Sequence, residues 1–256
     1  MIKKGIILLG GKGKRLKPLT NYLSKHLLPV YNKPMFYYSL STLIYANIKE
    51  ILIICNEKDL QIYKKILIPI SKKHNIKFLF EIQKNPTGGI AECLKIGSNL
   101  IKSCERLVLI LGDNFFFGRD FPKILMKAIN KKKSFVFLSS VKNPKNFGIA
   151  KFNKKNELIK IIEKPTSITS NLAVTGLYVY NSKSISHLKS IKRSKRGELE
   201  ITSFNNALIK KNSLDYINLG FGITWFDLGT FSNLYECSEF VKLQESRKGI
   251  QISKIM

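Results

Sequence analysis

The sequence predicts an α/β protein: a Rossmann-like, mostly parallel mixed sheet flanked by helices, with an inserted part in its second half. Three observations carry this. Short continuous runs of Ile, Leu and Val alternate with longer amphipathic stretches through the first half, as in parallel strands covered on both faces. The first run, 5–9, leads straight into a glycine-rich basic turn, L-L-G-G-K-G-K-R-L at 8–16. From about residue 135 onward, strand-like runs follow one another with few helices between them.

Residues 5–9 form the first strand, and Gly10, Gly11 and Gly13 the loop after it. Residues 35–46 read as a helix, Glu50–Cys55 as a buried strand, and 59–70 as a helix with Asp59 near its N-terminus. A strand at 76–83, a helix at 90–101 and a strand at Arg106–Leu111 complete a doubly wound arrangement, whose ligands sit beyond the carboxyl ends of the strands. In the second half, 135–141, 149–152, Leu158–Glu163 and 174–180 are strand-like, with N-K-K-N at 153–156 as a turn. Helical patterns return at 198–211 and 231–246. There is no internal repeat, linker or low-complexity tract, so the two halves are expected to share one sheet.

A chain of 256 residues with 44% hydrophobic content can bury a substantial core. No apolar run approaches the roughly 20 residues needed to cross a bilayer. The apolar stretch at 5–9 is too short for a signal peptide, so a cytoplasmic location is expected. Cys55, Cys93, Cys104 and Cys237 lie far apart, and His26, His74 and His187 are scattered. That spacing argues against zinc sites and disulfide frameworks. The formal net charge of +27 comes from lysines spread along the whole chain. It favours attraction of polyanionic small molecules, with neither nucleic acid nor membrane as a partner.

Several residues have the chemistry of a phosphate site. The three glycines bring bare amides close to a ligand, and successive exposed N–H groups make a concave anion site. Arg15 adds a forked positive charge suited to phosphate oxygens. Asp113 follows the strand Arg106–Leu111 and is placed to point into the ligand crevice; Asp227, in W-F-D-L-G-T, is a second Asp in a similar setting. Two carboxylates from distant segments can hold Mg²⁺ on a polyphosphate, or each can cap a turn or helix. Lys25, Lys164 and Arg196 stand in unusual settings, but composition alone does not set them apart from 44 basic residues.

Taken in order, the motifs G-I-I-L-L-G-G-K-G-K-R-L, S-K-H-L-L-P-V-Y-N-K-P-M-F-Y-Y, L-G-D-N-F-F-F-G, E-K-P, V-T-G-L-Y-V-Y, R-G-E-L-E-I-T and W-F-D-L-G-T span residues 5–230. The chain thereby resembles the sugar-1-phosphate nucleotidyltransferases. The resemblance implies transfer of a nucleoside monophosphate from dTTP to glucose 1-phosphate, with Mg²⁺, in a homo-oligomer. It implies that Gly10, Gly11, Gly13 and Arg15 wrap the triphosphate, with Arg15 and Lys25 catalytic at the reacting phosphate. Gln83 would read the pyrimidine edge beside Gly88, and Asp113 and Asp227 would bind the metal. Gly148, Glu163 and Val174 would contact the sugar, and Lys164 and Arg196 its phosphate. The expected organisation is one domain over 1–256: a nucleotide-binding core at 1–134, and a sugar-binding part with the second metal carboxylate at 135–230.

The chain departs from the family pattern at the base-reading segment Q-K-N-P-T-G-G-I-A-E, at His26 where relatives usually carry Gln, at Phe147 for a common Tyr, and at Ser203 for an acidic residue. A UTP-dependent or other sugar-1-phosphate nucleotidyltransferase is the alternative within the reaction type. A non-catalytic nucleotide-sugar binding subunit is the alternative outside it.

Overall fold

The computed structural model describes residues 1–97, 99–100, 103–194, 197–249, 251–253 and 255. In chain order the strands are β1 (Lys3–Leu9), β2 (Pro29–Val30), β3 (Lys33–Pro34), β4 (Glu50–Cys55), β5 (Lys77–Ile82), β6 (Arg106–Leu111), β7 (Asn114–Phe117), β8 (Ser134–Ser140), β9 (Gly148–Phe152), β10 (Leu158–Glu163), β11 (Leu172–Asn181), β12 (Leu214–Asn218) and β13 (Thr224–Asp227). The helices are α1 (Phe36–Tyr45), α2 (Leu60–His74), α3 (Ile90–Ile96), α4 (Phe121–Asn130), α5 (Ile201–Lys210) and α6 (Phe231–Lys248).

Nine strands make one sheet, in the order β10-β9-β11-β6-β1-β4-β5, with β8 paired to β11 and β12 to β8. Strands β6, β1, β4 and β5 are parallel. Strand β11 runs antiparallel to β6, and β8, β9 and β10 continue that pattern. Antiparallel neighbours need no crossover helix, which is why the second half carries consecutive strands with little between them.

Alternation along each central strand divides the interior in two. Ile7, Leu9, Ile51, Ile53, Val108 and Ile110 face α1, α2 and α4. Ile6, Leu8, Leu52, Ile54, Leu107 and Leu109 face α3 and α5. Side chains such as Ile6, Ile7, Ile53 and Leu109 are fully buried, each contributing about 1.5–3 kcal/mol of transfer free energy.

Helix α2 runs on through Pro69 to His74, beyond the limit read from sequence. Proline removes one amide donor there, but Tyr63, Leu67 and Ile70 stay buried, and that packing keeps the helix going. It closes at Asn75, left-handed at φ 50°, whose amide donates to the Ser71 carbonyl. Helix α3 spans Ile90–Ile96, shorter than the 90–101 expected; positions 98, 101 and 102 of that stretch lie outside the described residues. Elements β7, α4, β12 and β13 come without a sequence expectation.

A third apolar cluster joins Leu16, Leu28, Val30, Met35 and Phe115 to Leu228, Cys237 and Val241 of the C-terminal segment. Helix α6 starts at Thr230, whose hydroxyl accepts from the Asn233 amide, and ends at Gly249, left-handed at φ 60°. It is locked to the short β2–β3 hairpin by an ion pair of Lys33 Nζ with Glu245 Oε1 at 3.0 Å. The Glu245 carboxylate also accepts from the amides of Ile252 and Asn32, and these contacts hold its pKa below the usual range against the opposing effect of burial. Substituting Glu245→Gln is expected to cost about 3 kcal/mol, because Lys33 would stay buried without its counter-charge. The carboxylate contributes stability above its ordinary pKa of 4.5 and loses it as pH falls through the depressed folded-state value. Denaturant melts of wild type and variant at pH 7 and below pH 4 check both statements: the gap is expected to close at the acid end.

Among the described residues no helix is long and apolar enough to cross a membrane. All four cysteines are free and buried.

Candidate active site

The site lies where β1, β4, β5 and β6 end. After β1 the chain turns through Gly10–Gly13 into a single 3₁₀ turn, Lys14–Leu16. Gly11 (φ 97°) and Gly13 (φ 58°) adopt backbone that L side chains rarely take, so glycine is required for the turn itself. Asn56, just beyond β4, clamps the loop: its side chain accepts from the Gly11 amide at 3.3 Å and donates to the Gly11 carbonyl at 3.2 Å. Gln83, just beyond β5, lies so close that a Cβ on Gly10 would overlap its amide oxygen.

Gly10, Gly11, Gly13 and Gln83 line a cavity of about 450 Å³, together with Arg15, Lys25 and Asp113. A wider hollow adjoins the loop, among Lys12, Lys14, Lys17, Lys58 and Lys84 with Glu57 and Asp59. Gly88 does not line the 450 Å³ cavity. It lies behind the wall, with its carbonyl accepting from the Leu199 amide, and Gly89 at the start of α3 takes the exposed place.

A second cavity of about 310 Å³ adjoins the first and shares Arg15, Gly89, Ile90, Leu111 and Glu198 with it. Gly148, Glu163, Lys164 and Val174 line it, as does Trp225, whose ring stands edge-on to Phe147 with centroids 5.5 Å apart. Glu163 Oε2 accepts from the Thr202 hydroxyl at 2.6 Å, so a helix α5 residue fixes the orientation of this carboxylate. Lys164 sits at φ 45°, with its amide on the Phe147 carbonyl, and this bend turns the chain at the end of β10. Arg196 lies outside the described residues.

The junction of the cavities depends on a two-stranded ribbon. Strands β7 and β13 pair antiparallel, with Asp227 opposite Asn114, and the Leu228 amide donates to the Asp113 carbonyl at 2.8 Å. Two aspartates more than a hundred positions apart in sequence thus become neighbours. Asp113 is buried and ion-paired with Lys25 Nζ. Arg15 reaches Asp227 Oδ2 at 3.8 Å, passing so near Gly229 that a side chain there would strike the guanidinium.

The two carboxylates titrate in opposite directions. Burial alone would raise Asp113, but the Lys25 charge, His26 and hydrogen bonds from Lys25 and Asn114 outweigh it and hold it below the usual range. Asp227 is held above the usual range by burial and by the Asp113 charge, against the pull of Arg15 and Lys25. His26 is pushed down to about 3, chiefly by burial, so its imidazole is neutral near pH 7 and adds no charge beside Lys25. Gly112 is glycine because a Cβ would press into His26, Leu9 and the Leu8 carbonyl.

The nucleotidyl transferase family profile matches residues 4–244. This chain belongs to the nucleotidyl transferase family. The nucleotidyltransferase is 40% identical over 251 residues to the glucose-1-phosphate thymidylyltransferase of Neisseria meningitidis, covering 98% of this chain and 86% of that one. It is 36% identical over 250 residues to the enzyme of the same name from Mycobacterium tuberculosis, covering 98% and 86%. A Bacillus anthracis crystal structure assigned to glucose-1-phosphate thymidylyltransferase, in complex with sucrose, superposes with a TM-score of 0.83 at 36% identity, covering 93% of this chain and 94% of that chain. A UDP-glucose pyrophosphorylase complexed with UDP-glucose shares the fold with a TM-score of 0.82 at 21% identity, covering 95% and 100%. The mixed, mostly parallel sheet expected from the sequence is the fold of this nucleotidyltransferase.

Sequence reasoning does not single out Asn114. Its Oδ1 accepts from the Gly176 amide at 2.9 Å and from Trp225 Nε1 at 2.7 Å, and its Nδ2 donates to Asp113 Oδ1 at 3.1 Å. One amide therefore ties β11, β13 and the carboxylate together. The available signal is its position directly after Asp113, in the G-D-N turn.

Proposed function

We propose that this nucleotidyltransferase joins dTTP and glucose 1-phosphate to give dTDP-glucose and pyrophosphate. The observation that carries the reading is the meeting of Asp113, Asp227, Arg15 and Lys25 around the joint of two adjacent cavities. The names of its relatives in Neisseria and Mycobacterium support the choice of substrates.

In this reading the glycine loop and Arg15 receive the triphosphate, and Gln83 faces the base from beside Gly10. Gly148, Glu163 and Val174 hold the sugar, with Lys164 and Arg196 on its phosphate. A phosphate oxygen of the sugar attacks the α-phosphorus in line. The new P–O bond forms as the bond to the bridging oxygen of the leaving pyrophosphate breaks, with no covalent enzyme intermediate. Both reactants are anionic, and Arg15, Lys25 and Lys164 offset their repulsion and the charge that builds on the transferring group.

The two aspartates fit a divalent cation. They are hard oxygen donors on adjacent segments, close enough for the charge of Asp113 to disfavour ionisation of Asp227. Asp113 and Asp227 would hold Mg²⁺, which supplies polarisation of a phosphoryl oxygen when bound. Among the described residues no cluster of three His, Cys, Asp or Glu forms, so this pair leaves further coordination to substrate oxygens and water.

Purified protein incubated with Mg²⁺, glucose 1-phosphate and equal dTTP, UTP and CTP is expected to release pyrophosphate and to form dTDP-glucose as the main product. A preference for UTP would overturn the base assignment and favour the UTP-dependent alternative, which the altered segment around Thr87 motivates. Tight nucleotide binding without turnover would overturn the reaction.

A further inference from the structure

A hollow of about 300 Å³ lies at the opposite end of the sheet from the candidate active site. Strand β11 reaches both places. Val174 lines the second cavity, and Asn181 lines the hollow roughly 20 Å further along the strand. Three separate connections wall the hollow. Lys132 and Lys133 come from the turn after α4, Lys183, Ser184 and His187 from the 3₁₀ segment Ser182–Ser190, and Asn212 from the turn after α5. Their backbones are fixed from behind. Arg106, 3% exposed, donates to the carbonyls of Lys132 and Lys133 at 3.2 and 2.8 Å, Asn181 Nδ2 donates to the Lys132 carbonyl at 3.1 Å, and the Ser134 amide donates to the Ser213 carbonyl at 2.9 Å.

Two features of these walls select the ligand. The first is the balance of donors and acceptors. Both amide oxygens are occupied: Asn181 Oδ1 accepts from the Lys183 amide at 3.0 Å, and Asn212 Oδ1 from Lys133 Nζ at 2.6 Å. The donors are in surplus. Among the described residues Lys132 Nζ and Lys183 Nζ have no hydrogen-bond partner. The Ser184 hydroxyl accepts from Ser134 at 3.4 Å, which leaves its own proton to donate. A group that only accepts hydrogen bonds fits such a wall.

The second is charge. Lys4 and Lys33 are each ion-paired with a glutamate, but the three lysines here converge on a hollow that no carboxylate lines. The acids close to it in the fold are turned elsewhere. Glu105, whose carbonyl accepts from the Ser182 amide, directs its carboxylate to the Ile2 amide at 3.0 Å and the terminal ammonium at 4.0 Å. Asp215 accepts from the Tyr216 amide at 2.8 Å. Like charges brought together from three connections repel, and an anion between them relieves the repulsion. We infer that this hollow is a second anion site, separate from the reaction centre, which takes the phosphate group of a small molecule, either inorganic phosphate or a phosphomonoester. Its volume suits one phosphorylated small molecule, and the bound phosphate would tie the three connections together.

The three histidines of the chain supply the test, because each reports a different place. His187 lines the hollow, His26 lines the active-site cavity, and His74 ends α2 with its Nε2 on the Ile255 carbonyl at 3.3 Å. Ring-labelled full-length protein is titrated with inorganic phosphate at fixed pH and ionic strength, and the ring resonances are followed by NMR, with His187→Gln assigning the signal. The His187 resonance is expected to shift and saturate while His74 stays in place. The double variant Lys132→Gln with Lys183→Gln is expected to weaken phosphate at a reporting His187 by roughly tenfold or more, since two charge-assisted contacts are lost. Unchanged His26 and His74 resonances in that variant report that it is folded. Glucose 1-phosphate in a parallel titration separates the two sources: saturation of His187 at lower concentration than with inorganic phosphate assigns a phosphomonoester, and the reverse order assigns free phosphate. A His187 shift no larger than that of His74, a shift that never saturates, or equal affinity in the double variant would overturn the site. Neither lysine lines either substrate cavity, so pyrophosphate release by the double variant is expected to match wild type, and the failure of this site would leave the proposed reaction untouched.

Discussion

Replacing Asp113 by Asn is expected to lower kcat by about 100-fold or more while nucleotide still binds. Asp113 is the buried, fully ionised member of the aspartate pair, and its carboxylate is held by Lys25 and Asn114. An amide keeps the size of the side chain but removes the negative charge, weakening the hold on a cation and freeing Lys25 from its partner. The glycine loop and Gln83 are untouched, so titration calorimetry with dTTP should still detect binding. Asp227→Asn is the informative companion. Asp227 is ionised against the field of Asp113, so its neutralisation relieves a repulsion and is expected to leave the melting temperature unchanged or raised. Turnover should fall as in the first variant. Equal activity of either variant and wild type, measured by pyrophosphate release, would remove the carboxylate pair from the mechanism.

Asn114→Ala is expected to strike stability and turnover together. The substitution strands the buried Gly176 amide at about 1–3 kcal/mol, leaves the half-buried Trp225 Nε1 without its acceptor, and takes a donor from Asp113. A net loss of about 3 kcal/mol follows, read as a shift of the denaturant midpoint. Asn114→Asp separates the two roles. It keeps an acceptor for Gly176 and Trp225, so most of the stability should remain, but it sets a second negative charge against Asp113. Turnover should stay low in this variant even where the protein is well folded. A variant with normal stability and normal turnover would show that the ribbon does not orient the carboxylate.

The parts of the fold legible in the sequence are those whose signal is local. Strands Glu50–Cys55, Arg106–Leu111 and Leu158–Glu163 have the bounds read from their apolar runs. The loop at Gly10–Gly13 is legible because its dihedrals admit little but glycine. The ribbon β7–β13 is not legible, since four-residue aromatic segments carry no period and their pairing joins distant positions. Helix α4 has an apolar stripe in Phe121, Leu125 and Ile129, yet the helix is only ten residues long and follows an aromatic stretch.

The site divides in the same way. Asp113 is legible after the apolar strand Arg106–Leu111 and Asp227 in W-F-D-L-G-T before a glycine; that they are neighbours depends on tertiary pairing. Gly88 and Gly89 cannot be told apart from composition, and only the start of α3, with Gly89 at φ 91°, decides which of them faces the cavity.

The antiparallel seam between β6 and β11 runs within the same hydrogen-bonded sheet that carries the glycine loop. On the proposed reading, donor and acceptor chambers are thus built on one frame, and the span between them is written into backbone register. Divergence within such a scaffold can exchange the walls of one chamber, to accept a different hexose, without resetting the distance over which the phosphoryl group must travel.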